Sequence, residues 1–437
     1  MAQPRRMRLA VFVQGTGNHF AGWRMPGASA SNESLEVFQS IAATAERGLF
    51  DLLFISDGVA TKVKGDHPSF VTRTEPLIAM AALAVTTKHV GLGATVSSTY
   101  SDPYTVARGF ASLDNISKGR AAWNVVTSSN AGSAANFSRT EHPEHDKRYE
   151  IAEEFVDVVK GLWDCWEDDA LVRDPATGVF VDESKIRPLN HKGRFFKVAG
   201  PLSMSRTPSG HPVIIQAGAS TSGQAFAART AEVVFAAVQD LAEARQNYGD
   251  FKALLPQFGR TAEQCHILPG VMPFIGRTDQ EARDLLAELQ GFLNSDNALT
   301  LVSARIGHDV SGLPLDAPVP EFPPTDMSHG FNRTLLAAAA RENMTLRDLY
   351  NLIAAARGHW VITGSPKRIA DILEEWFVTH AADGFNILPP WFPGQFDAFV
   401  DQVVPELQRR GLFRTAYEGT TLRENLGLAR PPGRCSA

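Results

Sequence analysis

Five short stretches hold most of the chemistry this sequence could perform. QGTGNH (14–19), SDG (56–58), TVSSTYSDPY (95–104), NVVTSSN (124–130) and QAGASTSG (216–223) each continue from an apolar run. Nearly all their residues are neutral hydrogen-bonders or glycine. That composition suits a large, planar, polar-edged ligand needing many donors and acceptors and close backbone approach. It suits a metal or a strongly charged substrate poorly.

Within GASTSGQAFAARTAE (218–232), Gly218, Ser220, Ser222 and Gly223 precede a helical pattern whose first turn would aim N–H groups at a phosphate. An ordinary N-cap at Ser220 would explain one of the hydroxyls. Asp57 abuts a strand end, where it either bonds a heterocycle or serves as a turn residue before Gly58. His19 reads as a proton donor or as a satisfied loop histidine. EHPEHDKRY (141–149) sets two histidines among acids, but without the HxxxH register of a helical zinc pair, and strand one offers no HxH. No metal site is assigned. GLGATV (91–96) has Val, and GTGNHF (15–20) has Phe, where a dinucleotide fingerprint needs its third glycine. With no strand-end lysine, no GxSxG elbow and no Cys beside a catalytic-looking His, the hard chemistry falls to an organic cofactor. Trp391 and Phe392 either line the mouth of the site or pack beneath the last helix.

The apolar runs that position these stretches recur at 8–14, 50–56, 90–97, 120–127, 212–218, 233–238, 266–275 and 384–389. They are continuous rather than alternating, as parallel strands covered on both faces should be. Helical patterns lie between them, such as LEVFQSIAATAERG (35–48), with Gly48 as the stop. Strand then helix, eight times, predicts an α/β fold, a (β/α)₈ TIM barrel forming a single domain over 1–437.

Two connections, about 128–211 and 276–383, are long enough to be insertions with structure of their own, after strands four and seven. In the first, Tyr149, Ala152, Phe155, Val156, Val159, Leu162, Trp163 and Trp166 mark a core-facing helix, and Leu171 to Pro208 is polar and proline-punctuated. The second is expected to hold a helix near 278–293, a proline-rich stretch over 311–326 that either wraps the surface or closes as a lid, and helices over 333–357 and 367–380. Ser365 would cap the last, with Pro366 at its first position.

The net charge of −6 and pI near 6.1 argue against nucleic-acid or membrane-surface binding, since both want a basic face. Cys165, Cys265 and Cys435 are too few and too scattered for a disulfide framework or a metal knuckle. The N-terminal apolar run is too short for a signal peptide or a membrane span, so the chain is expected to be cytoplasmic.

RLAVFVQGTGNHFAGWR (8–24), ERGLFDLLFISDG (46–58), GLGATVSSTYSDPYTVARGFASLDNISKGRAAWNVVTS (91–128), HDKRYEIAEEFVDVVKGLWDCWEDDALV (145–172), PVIIQAGAS (212–220) and the stretch 381–419 together carry a resemblance. The chain resembles the bacterial-luciferase-like flavin monooxygenases, in the branch of nitrilotriacetate, EDTA, dibenzothiophene-sulfone and long-chain alkane monooxygenases. The resemblance implies reduced FMN as cofactor, supplied by a separate NAD(P)H:flavin reductase. Dioxygen would add to it as a C4a-(hydro)peroxide that oxidises a sulfur, nitrogen or hydrocarbon compound. Flavin ring and ribityl contacts then fall on Asp57, Thr95, Asn124, His145 and Tyr149, and the phosphate on Ser220, with His19 as a catalytic proton-managing group. Kinship also implies a homodimer or homotetramer. The alternative on the same barrel is hydride transfer by a deazaflavin (F420), without oxygen.

Overall fold

The computed structural model describes residues 5–61, 67–218, 220–322 and 331–433. Its strands are β1 (Arg8–Val13), β2 (Leu52–Ile55), β3 (Gly91–Ser97), β4 (Ala121–Val126), β5 (His191–Lys192), β6 (Lys197–Val198), β7 (Val213–Gln216), β8 (Val233–Ala236), β9 (His266–Ile275), β10 (Trp360–Gly364) and β11 (Gly384–Ile387). Eight of these close a parallel barrel in the order β1, β2, β3, β4, β7, β8, β9, β11, the last returning to β1. Register pairs such as Ile55↔Ala94, Thr95↔Asn124 and Asn124↔Ile215 bring the strands' C-terminal ends to one rim.

The apolar runs are continuous because each strand is covered on both faces. Ala10, Phe12, Leu52, Phe54, Ala122, Val213, Ile215, Val233, Phe235 and Leu268 fill one buried cluster. Their chain neighbours Leu9, Val11, Leu53, Ile55, Trp123 and Ile214 join a second cluster with the surrounding helices. The interior is therefore a packed core rather than a pore. Trp123 anchors the outer layer, with ring centroids 5.7 Å from Phe110, 5.9 Å from Phe155 and 6.4 Å from Trp163. Such aromatic pairs add ~0.5–1.5 kcal/mol each beyond their buried area.

The two ends of the barrel differ in charge. At the N-terminal ends of the strands, buried carboxylates are matched by cations from the surrounding chain. Asp51 pairs with Arg414 and accepts from the Leu9 amide at 2.8 Å. Glu232 takes both Arg423 nitrogens, at 2.6 and 3.0 Å, and Asp383 takes Lys252 at 2.9 Å. This end is built for stability. The opposite rim carries the neutral stretches.

The segment 128–211 contains the helix His145–Trp163, whose Ala152, Phe155, Val156, Val159, Leu162 and Trp163 are buried as their spacing predicts. After it come the short antiparallel pair β5–β6 and irregular backbone. The segment 276–383 contains helices Asp279–Gly291, Ala298–Ile306, Phe331–Arg341, Leu346–Ala356 and Pro366–Val378. Several form a small core with Phe20, which follows β1, and the Phe20 amide donates to the Ala354 carbonyl at 2.9 Å.

Three expectations need correction. β10 adds parallel to β9, Trp360↔Val271 through Gly364↔Ile275, where no strand was read. Only Ile362 and Gly364 of its five residues are buried, so it lacks the apolar run of a fully covered strand. The helix over 333–357 is two helices, because Asn343 has φ +49° and Thr345 restarts the chain with a reciprocal capping box to Asp348. Ser365 occupies the N-cap position of the following helix, but its side chain makes no capping bond; its amide donates to Asp279 at 2.7 Å instead. Residues 311–322 are neither helix nor strand, as their prolines require, and 323–326 of that stretch lie outside the described residues. Among the described residues no helix is long and apolar enough to cross a membrane.

Candidate active site

The rim residues follow from strand periodicity. Asn124 shares the inward face of Ala122, two residues earlier, and Thr95 is its register partner on β3. The Asn124 Nδ2 donates to Thr95 Oγ1 at 2.9 Å, while Asn124 Oδ1 is buried with no protein partner. Thr99 Oγ1, Gln216 Oε1 and Asn386 Oδ1, also at or just beyond the C-terminal ends of strands, are buried and unpartnered too. Buried polar atoms are normally bonded, so a group of open ones at one rim implies a polar ligand.

Ser220, Tyr149 and His145 come together beside the C-terminal end of β7. Ser220 is the N-cap of helix Thr221–Thr230, its Oγ accepting from the Gly223 amide at 3.1 Å. The ordinary N-cap reading is thus correct for its hydroxyl, and it leaves the helix N-terminus open as an anion cradle. Tyr149 reaches this turn from the neighbouring helix, for a Cβ on Gly223 would lie 2.8 Å from Tyr149 Oη and 3.1 Å from Gly218 Cα. A Cβ on Gly218 would meet the Gln216 amide at 2.9 Å. Both positions are glycine because the turn and the phenol occupy that space. His145 stands one helical turn before Tyr149, ring centroids 5.1 Å apart. Asp146 accepts from Ser222 at 3.0 Å and ties the two helices together.

Asp57 follows β2, half-buried, in a cleft of about 450 Å³ that it lines with Gly58, Arg73 and Asn136. Burial raises its carboxyl above the usual range, opposed by the Gly58 amide and Arg73. His19 lies apart from the Ser220 turn, since β1 sits four places around the ring from β7. It is fully buried. Its Nδ1 accepts from the Ala21 amide at 3.1 Å, which places the proton on Nε2, an atom with no protein partner. Burial lowers its pKa to about 3, so the ring is neutral at physiological pH.

Several polar residues were not singled out from sequence. Arg148 donates to His142 Nε2 at 2.8 Å, which fixes the proton on Nδ1 and directs it to Tyr100 Oη at 2.6 Å. Tyr100 is held between the Phe137 ring, 4.9 Å away, and Arg139. Beyond β1, Arg357 lies over Phe12 and donates to Asn18 Oδ1, with His67 and Ser69 close by. Tyr100 and His142 are 42 positions apart, and Asn18 and Arg357 are 339 apart, so no local spacing announces these two contacts.

The arrangement is a parallel barrel with a rim of open polar atoms that suits an organic cofactor. The family description "Luciferase-like monooxygenase" matches residues 15–381. The chain is 48% identical to the N-acetyl-S-(2-succino)cysteine monooxygenase of Bacillus subtilis (strain 168), over 99% of each chain. It is 44% identical to nitrilotriacetate monooxygenase component A of Aminobacter aminovorans, over 99% of this chain and 98% of that one. The crystal structure of DmoA from Hyphomicrobium sulfonivorans superposes with a TM-score of 0.87 at 34% identity, covering 96% of this chain and 92% of the other. The protein belongs to the luciferase-like monooxygenases. It is a flavin-dependent monooxygenase of the two-component kind.

Proposed function

We propose that the protein uses reduced FMN, delivered by a separate NAD(P)H:flavin reductase, to insert one atom of dioxygen into a small sulfur-, nitrogen- or carbon-centred substrate. When bound, reduced FMN would supply the electrons that activate dioxygen. Asn124 and Thr95 would hold the polar edge of its ring, with Asp57 beside them. Tyr149, His145 and the Ser220 helix N-terminus would hold its phosphate. His19, neutral and dry, would offer its Nε2 proton as the proton-managing group at the rim. The connection 276–383 would shield the site from water, its helices being anchored on Phe20 next to His19.

The observation that carries this reading is the set of open, buried polar atoms at the rim, above all Asn124 Oδ1. Relatives named for a succinylated cysteine thioether, for nitrilotriacetate and for long-chain alkanes support a small sulfur, nitrogen or hydrocarbon compound as the substrate. Buried free thiols at Cys165 and Cys265 suit a reducing cytoplasm. A single domain assembling as a homodimer or homotetramer completes the proposal.

The test is a reductase-coupled assay with FMN, NADH and ¹⁸O-labelled dioxygen over a panel of thioethers, tertiary amines and alkanes. One labelled oxygen in the product supports the proposal. A product without label, or turnover only with reduced deazaflavin, overturns it in favour of hydride transfer.

A further inference from the structure

The flavin assignment draws on Thr95 and Asn124, on β3 and β4. Four places around the ring from them stand β9 and β11, so the opposite wall of the barrel belongs to those two strands. On β9, Leu268 and Met272 point into the barrel and Val271 points out, which turns Gly270 inward between them. A Cβ on Gly270 would stand 2.4 Å from His359 Nδ1 and 2.9 Å from its Cγ, so the imidazole of a different segment fills the place that a side chain from β9 would take. The ring arrives there because Arg357 and Gly358 both have positive φ, +54° and +91°, and fold the chain back after helix Leu346–Ala356. Gln239, just beyond β8, ties the turn down by donating to the Gly358 carbonyl at 2.8 Å.

The two ring nitrogens of His359 differ in their surroundings. The ring donates one N–H to the Ala236 backbone at the C-terminal end of β8, and since Nδ1 has no protein partner among the described residues, that proton sits on Nε2. Nδ1 is then a buried acceptor, and burial keeps the ring neutral, its pKa lowered to about 4. Asn386, the register partner of Gly270 on β11, lies between the outward residues Phe385 and Ile387 and so faces inward beside the ring. It is 3% exposed, and its Oδ1 is likewise buried without a protein partner. Neighbouring strands run about 4.8 Å apart, which sets two open acceptors side by side. Such a pair calls for an N–H or O–H group and disfavours an anion. Between this wall and that of Asn124, the inward rings of Phe12, Phe54 and Phe235 form an apolar floor, with centroids 5.1 Å apart for the first two and 4.8 Å for the last two.

We propose that His359 Nδ1 and Asn386 Oδ1 together receive an N–H or O–H group of the substrate, so that the enzyme selects molecules that carry such a donor, an amide or an alcohol, next to an apolar portion lying on the phenylalanine floor. The proposal rests on the flavin assignment, which occupies the opposite wall, and adds two specificity-determining residues. Gly270 is the position that admits the His359 ring.

The test titrates protein saturated with photoreduced FMN, anaerobically and by calorimetry, with 2-(benzylthio)-N-methylacetamide and with methyl (benzylthio)acetate. These uncharged thioethers differ only by N–H against O. The wild type is expected to bind the amide at least about tenfold more tightly than the ester. His359→Phe, which keeps an aromatic ring without the acceptor, and Asn386→Leu should each cut that preference to about twofold or less, while FMN affinity stays within about twofold. Gly270→Ala, whose Cβ would press on Nδ1, should act in the same direction. A general loss of packing would weaken both probes alike and leave their ratio unchanged. Equal binding of amide and ester by the wild type, or binding of neither, overturns the proposal and leaves the two acceptors to a buried water. So does a preference that survives in the folded variants. Should no variant fold, the amide–ester comparison in the wild type decides alone. Failure of the wild type to bind reduced FMN appears before any probe is added and overturns the underlying assignment separately.

Discussion

Asn124 and Thr95 face one another across the β3–β4 ladder, and their single hydrogen bond satisfies the amide nitrogen but leaves the amide oxygen buried and open. An open acceptor costs the ligand-free protein about 1–3 kcal/mol, which a donor on a bound molecule restores. Asn124→Leu removes the open acceptor along with the bond to Thr95. The variant should keep its melting temperature within a few degrees and bind FMN at least about tenfold more weakly, as read by quenching of flavin fluorescence. Unchanged affinity would remove Asn124 from the site.

Gly223→Ala separates stability from binding. Alanine favours a helix over glycine by about 0.5–1 kcal/mol, yet its Cβ would press on Tyr149 Oη and Gly218 Cα in the Ser220 turn, the proposed phosphate cradle. FMN affinity should fall by about tenfold or more, with riboflavin, which lacks the phosphate, affected less. Equal losses for both ligands would move the phosphate elsewhere.

His19 makes acid stability a site-specific observable. Its folded pKa of about 3 lies below the ordinary value near 6.5, so the folded state resists a proton that the unfolded state accepts. Its contribution is therefore full above pH 6.5 and is lost as the pH falls toward 3. Burial also lowers His359, to about 4, and His67 in the same direction. Between pH 7 and 5, His19→Gln should lose about 2 kcal/mol less stability than the wild type in urea titrations. Parallel pH profiles for the two proteins would contradict a neutral, buried His19.

The other end of the barrel should answer differently. Arg414→Met removes the nearer of two cations from Asp51, a carboxylate with 1% of its side chain exposed, leaving it only Arg8 at 3.8 Å, and should cost about 3 kcal/mol. Properly folded variant at low temperature should still bind FMN with wild-type affinity. A binding defect without loss of stability would put function at the wrong end.

The barrel was legible because parallel strands buried on both faces leave uninterrupted apolar runs, and eight such runs correspond to the eight barrel strands. β10 was not, since an edge addition with two buried residues leaves no such run. The break before Leu346 did carry a local signal, the T-x-x-D capping box at Thr345 and Asp348, which the helical apolar pattern on either side obscured. In the candidate site, Thr95 and Asn124 lie near strand ends and Ser220 just beyond one, positions that can be read from the apolar runs. His142 between Tyr100 and Arg148, and Arg357 over Phe12, depend on long connections folding back onto the rim, and nothing in their own neighbourhoods marks that return.

The most direct test of the central claim is anaerobic calorimetry of the purified protein with photoreduced FMN, in wild type and in Asn124→Leu and Gly223→Ala. One binding site per chain is expected in the wild type and weakened binding in both variants, with reduced deazaflavin giving no heat. No heat with reduced FMN, or the same affinity in all three proteins, would contradict it.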